Sequence, residues 1–271
     1  MIRTPAGQPS PTSRGVLLAA GLGSLWLVSL IGVLALPLEA LPWWQGLLLV
    51  GLRSQLHTGL FIIGHDAMHR VLWPGHPRLN DRLGALALLL YAGLPYSHCR
   101  ALHHRHHRLT ATAADPDFPA RGHAHLIHWY GQFMAGYLSW AQMGRLLGGW
   151  ALLVCLLHPF TPSAAWLVLL FCTLPLLLSS WQLFVFGTYL PHRHQRAPMG
   201  RPGPLSLDHP AWLSLLACYH FGYHREHHDH PQLAWYQLPA QRRRSRWRVM
   251  PGSVNDSAYS QHDGDLNRWL E

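Results

Sequence analysis

The chain has 271 residues, of which 49% are apolar and only 12% are charged, about half the charged fraction of an average soluble domain. The apolar residues stand in long blocks, which indicates a membrane protein. The net charge of +9 is compatible with an anionic lipid or an acidic protein as partner, whereas no nucleic-acid-binding motif accompanies it. No CxxC pair occurs among the cysteines, which disfavours zinc knuckles and a disulfide framework; they are Cys99, Cys155, Cys172 and Cys218.

The N-terminal third predicts two transmembrane helices. Residues 1–14 are rich in Pro, Ser and Thr, and we expect them to be disordered. Residues 15–36 form an uncharged run that is long enough to cross a bilayer and longer than the apolar region of a signal peptide. A second span is predicted at 45–64. It contains Arg53 and His57, whose side chains must face protein or water.

The rest of the chain predicts two further spans. Residues 83–95 are apolar but too few to cross a bilayer, so we interpret them as interfacial or re-entrant. A weaker span at 137–158 and a stronger one at 164–190 follow. Residues 192–248 are polar and basic, and the tail 249–271 has little predicted structure.

These elements predict an all-α integral membrane protein with four transmembrane helices in two hairpins, together with interfacial and cytoplasmic helices. We expect residues 15–248 to form a single domain. The turn between the first two spans is short and carries no arginine, while arginines are frequent in the polar segments that hold the histidines. The positive-inside rule therefore predicts that both termini lie on the cytoplasmic side. The segment between the second and third spans is predicted on the same side.

Histidines carry the most specific signal. They form three boxes in which residues three and four apart project from one face of a helix. The first box is H-x3-H and the other two are H-x2-H-H; the histidines are His65 and His69, then His103, His106 and His107, then His224, His227 and His228. Each box lies beside an apolar segment, and all three are predicted on one side of the membrane. We therefore expect the imidazoles to converge.

Eight converging imidazoles predict two metal ions, because one zinc takes about four ligands. Imidazole suits iron, zinc, copper and nickel. A site rich in nitrogen and without a thiolate fits iron and oxygen chemistry, which redox-inactive zinc does not perform. Copper remains open. A metal transporter or store is a weaker alternative, since its ligands would line a path within the spans.

The strings around the boxes resemble the β-carotene ketolase branch of the membrane fatty acid desaturase and hydroxylase superfamily. The specific parts are HDAMH, the DPDF that follows the second box, and FGTYLPHR near the end of the fourth span. The resemblance covers roughly residues 45–240. It implies a di-iron centre, O2 as co-substrate, electrons from a reduced ferredoxin, and a carotenoid that enters from the bilayer. One departure is Arg70, where such ketolases more often have glycine; it is expected to pair with an acid or to change the local backbone.

The resemblance also implies the reaction, which is formation of a ketone at carbon 4 of a β-ionone ring. Two successive hydroxylations give a geminal diol that loses water, and each consumes O2, two electrons and two protons. An acyl-lipid desaturase or hydroxylase of the same superfamily is the alternative. The sequence leaves open whether one ring or both are oxidised, whether hydroxylated carotenoids are accepted, and the oligomeric state.

The superfamily usually has one more histidine ligand near the end of the last span, and His192 fits that place, with His104 and His220 as alternatives. Carboxylates next to the boxes are expected to hold the histidine rings in orientation. The residues predicted for this role are Asp66, Asp117 and Glu226, with Asp115 and Asp229 as further candidates. An arginine run at 242–248 would either steer an acidic ferredoxin or bind anionic headgroups, the latter being favoured.

Overall fold

The computed structural model describes residues 11–110, 112–118, 125–193 and 203–249. All regular secondary structure in these ranges is helical, which confirms the predicted all-α class. The disorder predicted for residues 1–14 falls mostly outside the described residues, and helix α1 already begins at Pro11. The tail from 250 onward also lies outside them.

The helices run in chain order as α1 (Pro11–Leu34), α2 (Trp43–Met68), α3 (Pro77–Ala92), α4 (Tyr96–Leu109), α5 (Leu126–Tyr137), α6 (Trp140–Leu157), α7 (Ala164–His192), α8 (Ala211–Cys218), α9 (His224–Asp229) and α10 (Leu238–Val249). Helix α7 is continuous but contains two π-helical stretches, Leu169–Thr173 and Phe184–Tyr189. Such wider turns inside a helix are rare and often occur at functional sites.

Four of the described helices are long and apolar enough to cross a membrane: α1 from Arg14, α2, α6 and α7. They correspond to the four predicted spans. The predicted span 137–158 corresponds to α6, which begins three residues later than predicted because Ser139 caps it: the Ser139 side chain accepts from the backbone N–H of Gln142. Leucine, valine and tryptophan side chains on these helices are exposed, as a lipid-facing surface requires.

Helix α3 covers the apolar segment at 83–95 that is too short to span. At 16 residues it measures about 24 Å, less than the hydrocarbon thickness of about 30 Å. It packs closely along α2, where a Cβ on Gly84 would lie 2.4 Å from the Cβ of Ala67. The helix ends at Gly93, whose φ of 66° suits glycine. This packing brings the start of α4 next to the end of α2.

Arg53 and His57 are buried among the spans, so the prediction that they face protein is confirmed. Arg53 donates to the carbonyl oxygens of Trp26 at 2.8 Å and Phe171 at 3.2 Å, and so joins α1, α2 and α7. The indole N–H of Trp26 donates to Nδ1 of His57 at 3.1 Å. Nε2 of His57 therefore carries the proton that it donates to the carbonyl of Tyr91 at 2.6 Å. The four cysteines are free thiols, as expected.

Candidate metal centre

All three histidine boxes lie at helix ends that meet at one end of the spans. His65 belongs to the last turn of α2, and His69 directly follows that helix. The second box lies on α4 and the third on the short helix α9. His192 is the last residue of α7. The predicted helical placement of the second and third boxes is therefore confirmed.

The imidazoles divide into two groups of four, within each of which the potential ligand nitrogens lie within 4.8 Å of one another. The first group is His65, His69, His103 and His227. Nε2 of His103 lies 2.7 Å from Nε2 of His69 and 3.1 Å from Nε2 of His107. A neutral imidazole has one N–H, so several nitrogens directed at one point leave lone pairs free for a cation.

The second group is His106, His192, His224 and His228. Nε2 of His228 lies 3.1 Å from Nε2 of both His106 and His224. The ring of His192 meets that of His224 edge-on, with centroids 4.9 Å apart. The helix that ends at His192 thus delivers its histidine to the boxes, where the sequence placed the extra ligand.

His107 lies between the two groups. Its Nε2 is 2.9 Å from Nε2 of His227 in the first group, while its ring stacks on that of His228 in the second at a centroid distance of 4.1 Å. All eight box histidines and His192 therefore form one continuous cluster.

The donor set fits two transition-metal ions. Among the described residues, His65 and His192 have both ring nitrogens buried and without a hydrogen-bond partner. Such orphaned polar atoms are costly in a folded protein unless a bound ligand satisfies them. Burial, and then the neighbouring imidazoles, lower the pKa of His103, His224 and His227 well below the usual value. These side chains are thereby held in the neutral form that binds metal.

Asp115, rather than Asp117, makes the direct contact with a histidine of the cluster. Nδ1 of His106 donates to Oδ1 of Asp115 at 2.8 Å, whereas Oδ2 of Asp117 is 3.9 Å away. Burial alone would lower the pKa of His106, but the hydrogen bond to Asp115 and the charges of both carboxylates outweigh it and raise that pKa. The hydrogen bond also fixes Nε2 of His106 as the nitrogen that faces the second group.

Asp117 instead accepts a hydrogen bond from the phenol of Tyr137 at 2.9 Å. Burial raises its pKa above the usual value. The sequence identified the D-x-D pair around Pro116 but not which carboxylate reaches the histidine, because that depends on how the loop after α4 turns back on the helix.

The other predicted carboxylates differ in their contacts. Asp66 lies 3.6 Å from Nδ1 of His65, and its other oxygen accepts from the backbone N–H of Trp235. Glu226 makes its hydrogen bonds, within the described part of the chain, with Ser206 and Arg242 and with no histidine, and it accepts in both. Its position in HREHH puts it on the side of α9 opposite the ligands, so the role predicted for Glu226 in orienting a histidine ring finds no contact to support it. Asp229 is exposed.

The alternative candidates for the extra ligand belong to neither group. Nε2 of His104 donates to the carbonyl of Met68 at 2.9 Å. The ring of His220 stacks on Tyr223, with centroids 5.6 Å apart. Arg70 has φ of 58°, a backbone conformation that favours glycine, and its guanidinium lies 3.8 Å from Asp81. Of the two effects expected of this departure from the ketolase pattern, the pairing with an acid is present, whereas the backbone keeps a conformation that suits glycine.

One cavity adjoins the cluster, and a second shares part of its wall with the first. The smaller, about 40 Å³, lies against His65, His103, His106 and His224. The larger, about 210 Å³, is lined almost wholly by apolar side chains of α2, α3, α5, α6 and α7. Both are bordered by Phe61, Phe133, Tyr137 and Leu183. The arrangement offers a water-poor route from the spans to the histidines. Sequence patterns did not single out these residues, because apolar residues in a span have no distinctive spacing.

Membrane-spanning helices with two groups of imidazoles at one end are the features of a metal-dependent membrane enzyme. The fatty acid desaturase family model matches residues 39–255, and the chain belongs to this family.

Several curated relatives are more specific. The chain is 42% identical to the β-carotene ketolase of Paracoccus sp. (strain PC1), over 81% of this chain and 85% of the relative. It is 38% identical to the β-carotene ketolase of Paracoccus sp. (strain N81106 / MBIC 01143), over 85% and 93%. Identity to the zeaxanthin 4-ketolase of Chlamydomonas reinhardtii is 37%, over 82% of this chain and 50% of that protein.

Proposed function

We propose that the chain is a carotenoid ketolase, which introduces a keto group at carbon 4 of β-ionone rings and converts β-carotene to echinenone and canthaxanthin. The observation that carries the proposal is the similarity to curated β-carotene ketolases over most of their length. The cluster of buried imidazoles beside an apolar cavity provides the chemistry and the space that such a reaction needs.

The metal centre is proposed to contain two iron ions, one for each histidine group. The first would be held by His65, His69, His103 and His227, the second by His106, His192, His224 and His228, with His107 between them. When bound, the iron pair would supply the activation of O2 that no side chain provides. The chain's own part is to hold the imidazoles convergent and to keep His103, His224 and His227 neutral.

Asp115 is proposed to keep His106 in the tautomer that presents Nε2 to the metal. Asp66 is proposed to support His65 from 3.6 Å, without a hydrogen bond to its ring. Asp117 would act indirectly, by fixing the phenol of Tyr137 where the two cavities meet. The apolar walls exclude water, which strengthens every electrostatic interaction at the site.

The carotenoid would occupy the apolar cavity with one ring directed at the histidines. The C–H bonds at carbon 4 are allylic and therefore weaker than those of an ordinary methylene group. Each ketone formed consumes two O2, four electrons and four protons and releases three waters, because two hydroxylations give a geminal diol that dehydrates. We propose a reduced ferredoxin as the electron source.

For the location, we propose a multi-pass protein with two transmembrane hairpins, in which the metal centre and both termini face the cytoplasm. The described residues contain four candidate spans, and an even number of spans returns the chain to the side on which it began. Arginines concentrated in the segments next to the histidine boxes support the cytoplasm as that side. We also propose that residues 15–248 act as one domain.

Expression in bacteria that accumulate β-carotene, together with a ferredoxin, tests the proposal. Ketone products on chromatography and about two irons in each purified chain are expected. His227→Ala should abolish ketone formation without preventing membrane insertion, since it removes a nitrogen shared by the first group and His107. Full turnover by His227→Ala would contradict the ligand assignment. Parallel assays with β-carotene and zeaxanthin would define the range of substrates.

The second candidate function is acyl-lipid desaturation or hydroxylation, which uses the same metals in the same family. Unchanged pigment together with altered membrane lipids in the expression strain would support it. The ketolase is favoured because HDAMH and FGTYLPHR, which contribute His65, His69 and His192 to the two groups, are typical of that branch.

A further inference from the structure

Helix α4 has an outer face that the catalytic proposal does not use. Its inner face presents the second histidine box, while Arg100, His104 and Arg108 follow one another at intervals of four residues along the flank beside it. These three side chains line an open groove of about 580 Å³ together with residues of α3 and the start of α4. We call this surface the α4 groove.

The surroundings of the α4 groove are strongly basic. Residues 70–110 contain six arginines and one acidic residue, Asp81. Asp81 is ion-paired with Arg70 at 3.8 Å and Arg100 at 3.4 Å, and Arg105 is exposed. The excess of positive charge is therefore large and accessible, and it would attract a partner with an acidic surface from a distance.

The floor of the α4 groove is close to the first histidine group. The ring of His104 stacks on that of His69, with centroids 5.8 Å apart and planes inclined by 23°. His104 is held in this position by its hydrogen bond to the carbonyl of Met68. Only one ring contact thus separates the groove from a proposed metal ligand.

The second basic segment, on α10, is less suited to an acidic partner. Arg242 is already neutralised by Glu226 at 3.0 Å and Asp208 at 3.6 Å. Arg243 and Arg244 are exposed and provide a comparison surface of similar charge.

From these observations we infer that the α4 groove, which Arg100, His104 and Arg108 line, together with the exposed Arg105 that follows His104, is the docking surface for an acidic one-electron carrier protein. The inference rests on the proposed function, since ketone formation needs four electrons and the sequence contains no flavin, haem or nucleotide-binding motif of its own. Each docked carrier would be oxidised by one electron, and four encounters would complete one ketone.

The test uses the full, iron-loaded chain in nanodiscs of neutral phosphatidylcholine, with a [2Fe–2S] ferredoxin as the probe. Arg105→Glu with Arg108→Glu should raise the KM for ferredoxin at least tenfold, and the effect should shrink at high salt because the attraction is screened. Arg105→Gln with Arg108→Gln should give a smaller rise. Iron content and turnover with dithionite as reductant should stay at wild-type values, which shows that the site itself is intact.

Arg243→Glu with Arg244→Glu is the matched control, and its KM for ferredoxin should not change. An unchanged KM in the α4 variants, or a rise confined to the control, would overturn the inference. An effect seen only when the nanodiscs contain phosphatidylglycerol would assign the arginines to lipid headgroups instead. Direct binding of ferredoxin to each variant is measured in parallel. This binding tests the docking surface even if the wild-type chain forms no ketone. Absence of ketone would count against the proposed function alone.

Discussion

The contact between Gly187 and Phe221 links the fourth span to the first histidine group. Gly187 lies in the π-helical stretch of α7, and a Cβ added there would lie 2.6 Å from Cδ1 of Phe221. On its other side the ring of Phe221 packs edge-on against His65, with centroids 4.6 Å apart, and stacks on His227 at 6.1 Å. Gly187→Ala should therefore push Phe221 toward two proposed iron ligands.

The size of the effect follows from the geometry. Carbon atoms pack best at about 3.5–4.0 Å, so the ring of Phe221 must move by about 1 Å. Overpacking of this kind costs about 1–3 kcal/mol. If the cost falls on the histidine group, iron binding weakens by about 5- to 150-fold, at about 1.4 kcal/mol for each factor of ten. A chelator titration that follows iron per chain measures this loss, and ketone formation should fall with it.

Two further variants decide whether the contact is the cause. Gly148→Ala in α6 is the matched control, because a Cβ there meets nothing within 4 Å, and iron retention should be unchanged. Adding Phe221→Leu to Gly187→Ala should restore part of the lost retention, as expected for residues in contact. The reasoning is refuted if Gly187→Ala retains iron like the wild type, or if the double variant is no better than Gly187→Ala alone.

Three other changes give distinct readouts. Asp115→Asn should weaken iron retention about 10- to 100-fold, because an amide is a poorer acceptor for the N–H of His106, and a chelator titration with no difference would remove the role assigned to this carboxylate. His192→Ala should lower bound iron from about two to about one per chain, whereas His104→Leu should keep both, since only His192 belongs to a histidine group; metal analysis of the two purified variants checks this. Arg70→Gly should leave the free energy of unfolding unchanged or raise it by up to about 1 kcal/mol. Glycine adopts the φ of 58° without strain, and the ion pair that is lost is exposed and long. A lowered midpoint of detergent-induced unfolding would contradict this expectation.

Much of the fold could be predicted from the lengths of the apolar segments, because a helix that crosses a bilayer needs about 20 apolar residues. The four candidate spans and the non-spanning length of α3 follow from this single requirement. Helix α5 and the start of α6 at Trp140 rather than 137 were not predicted, since the cap at Ser139 interrupts a run that is apolar on both sides.

The histidine boxes could be predicted equally well, because spacings of three and four residues put imidazoles on one side of a helix regardless of the remainder of the chain. Their distribution between the two histidine groups could not be predicted. His227 and His228 are neighbours in sequence yet belong to different groups, and so do His103 and His106 on α4. Which group each imidazole joins depends on how α4 and α9 cross the ends of α2 and α7, and no local pattern encodes those crossings. The sequence by itself determined the ligand types and the number of metals to expect, whereas tertiary packing alone decided the partners of each nitrogen and brought Asp115, Phe221 and Gly187 to the site.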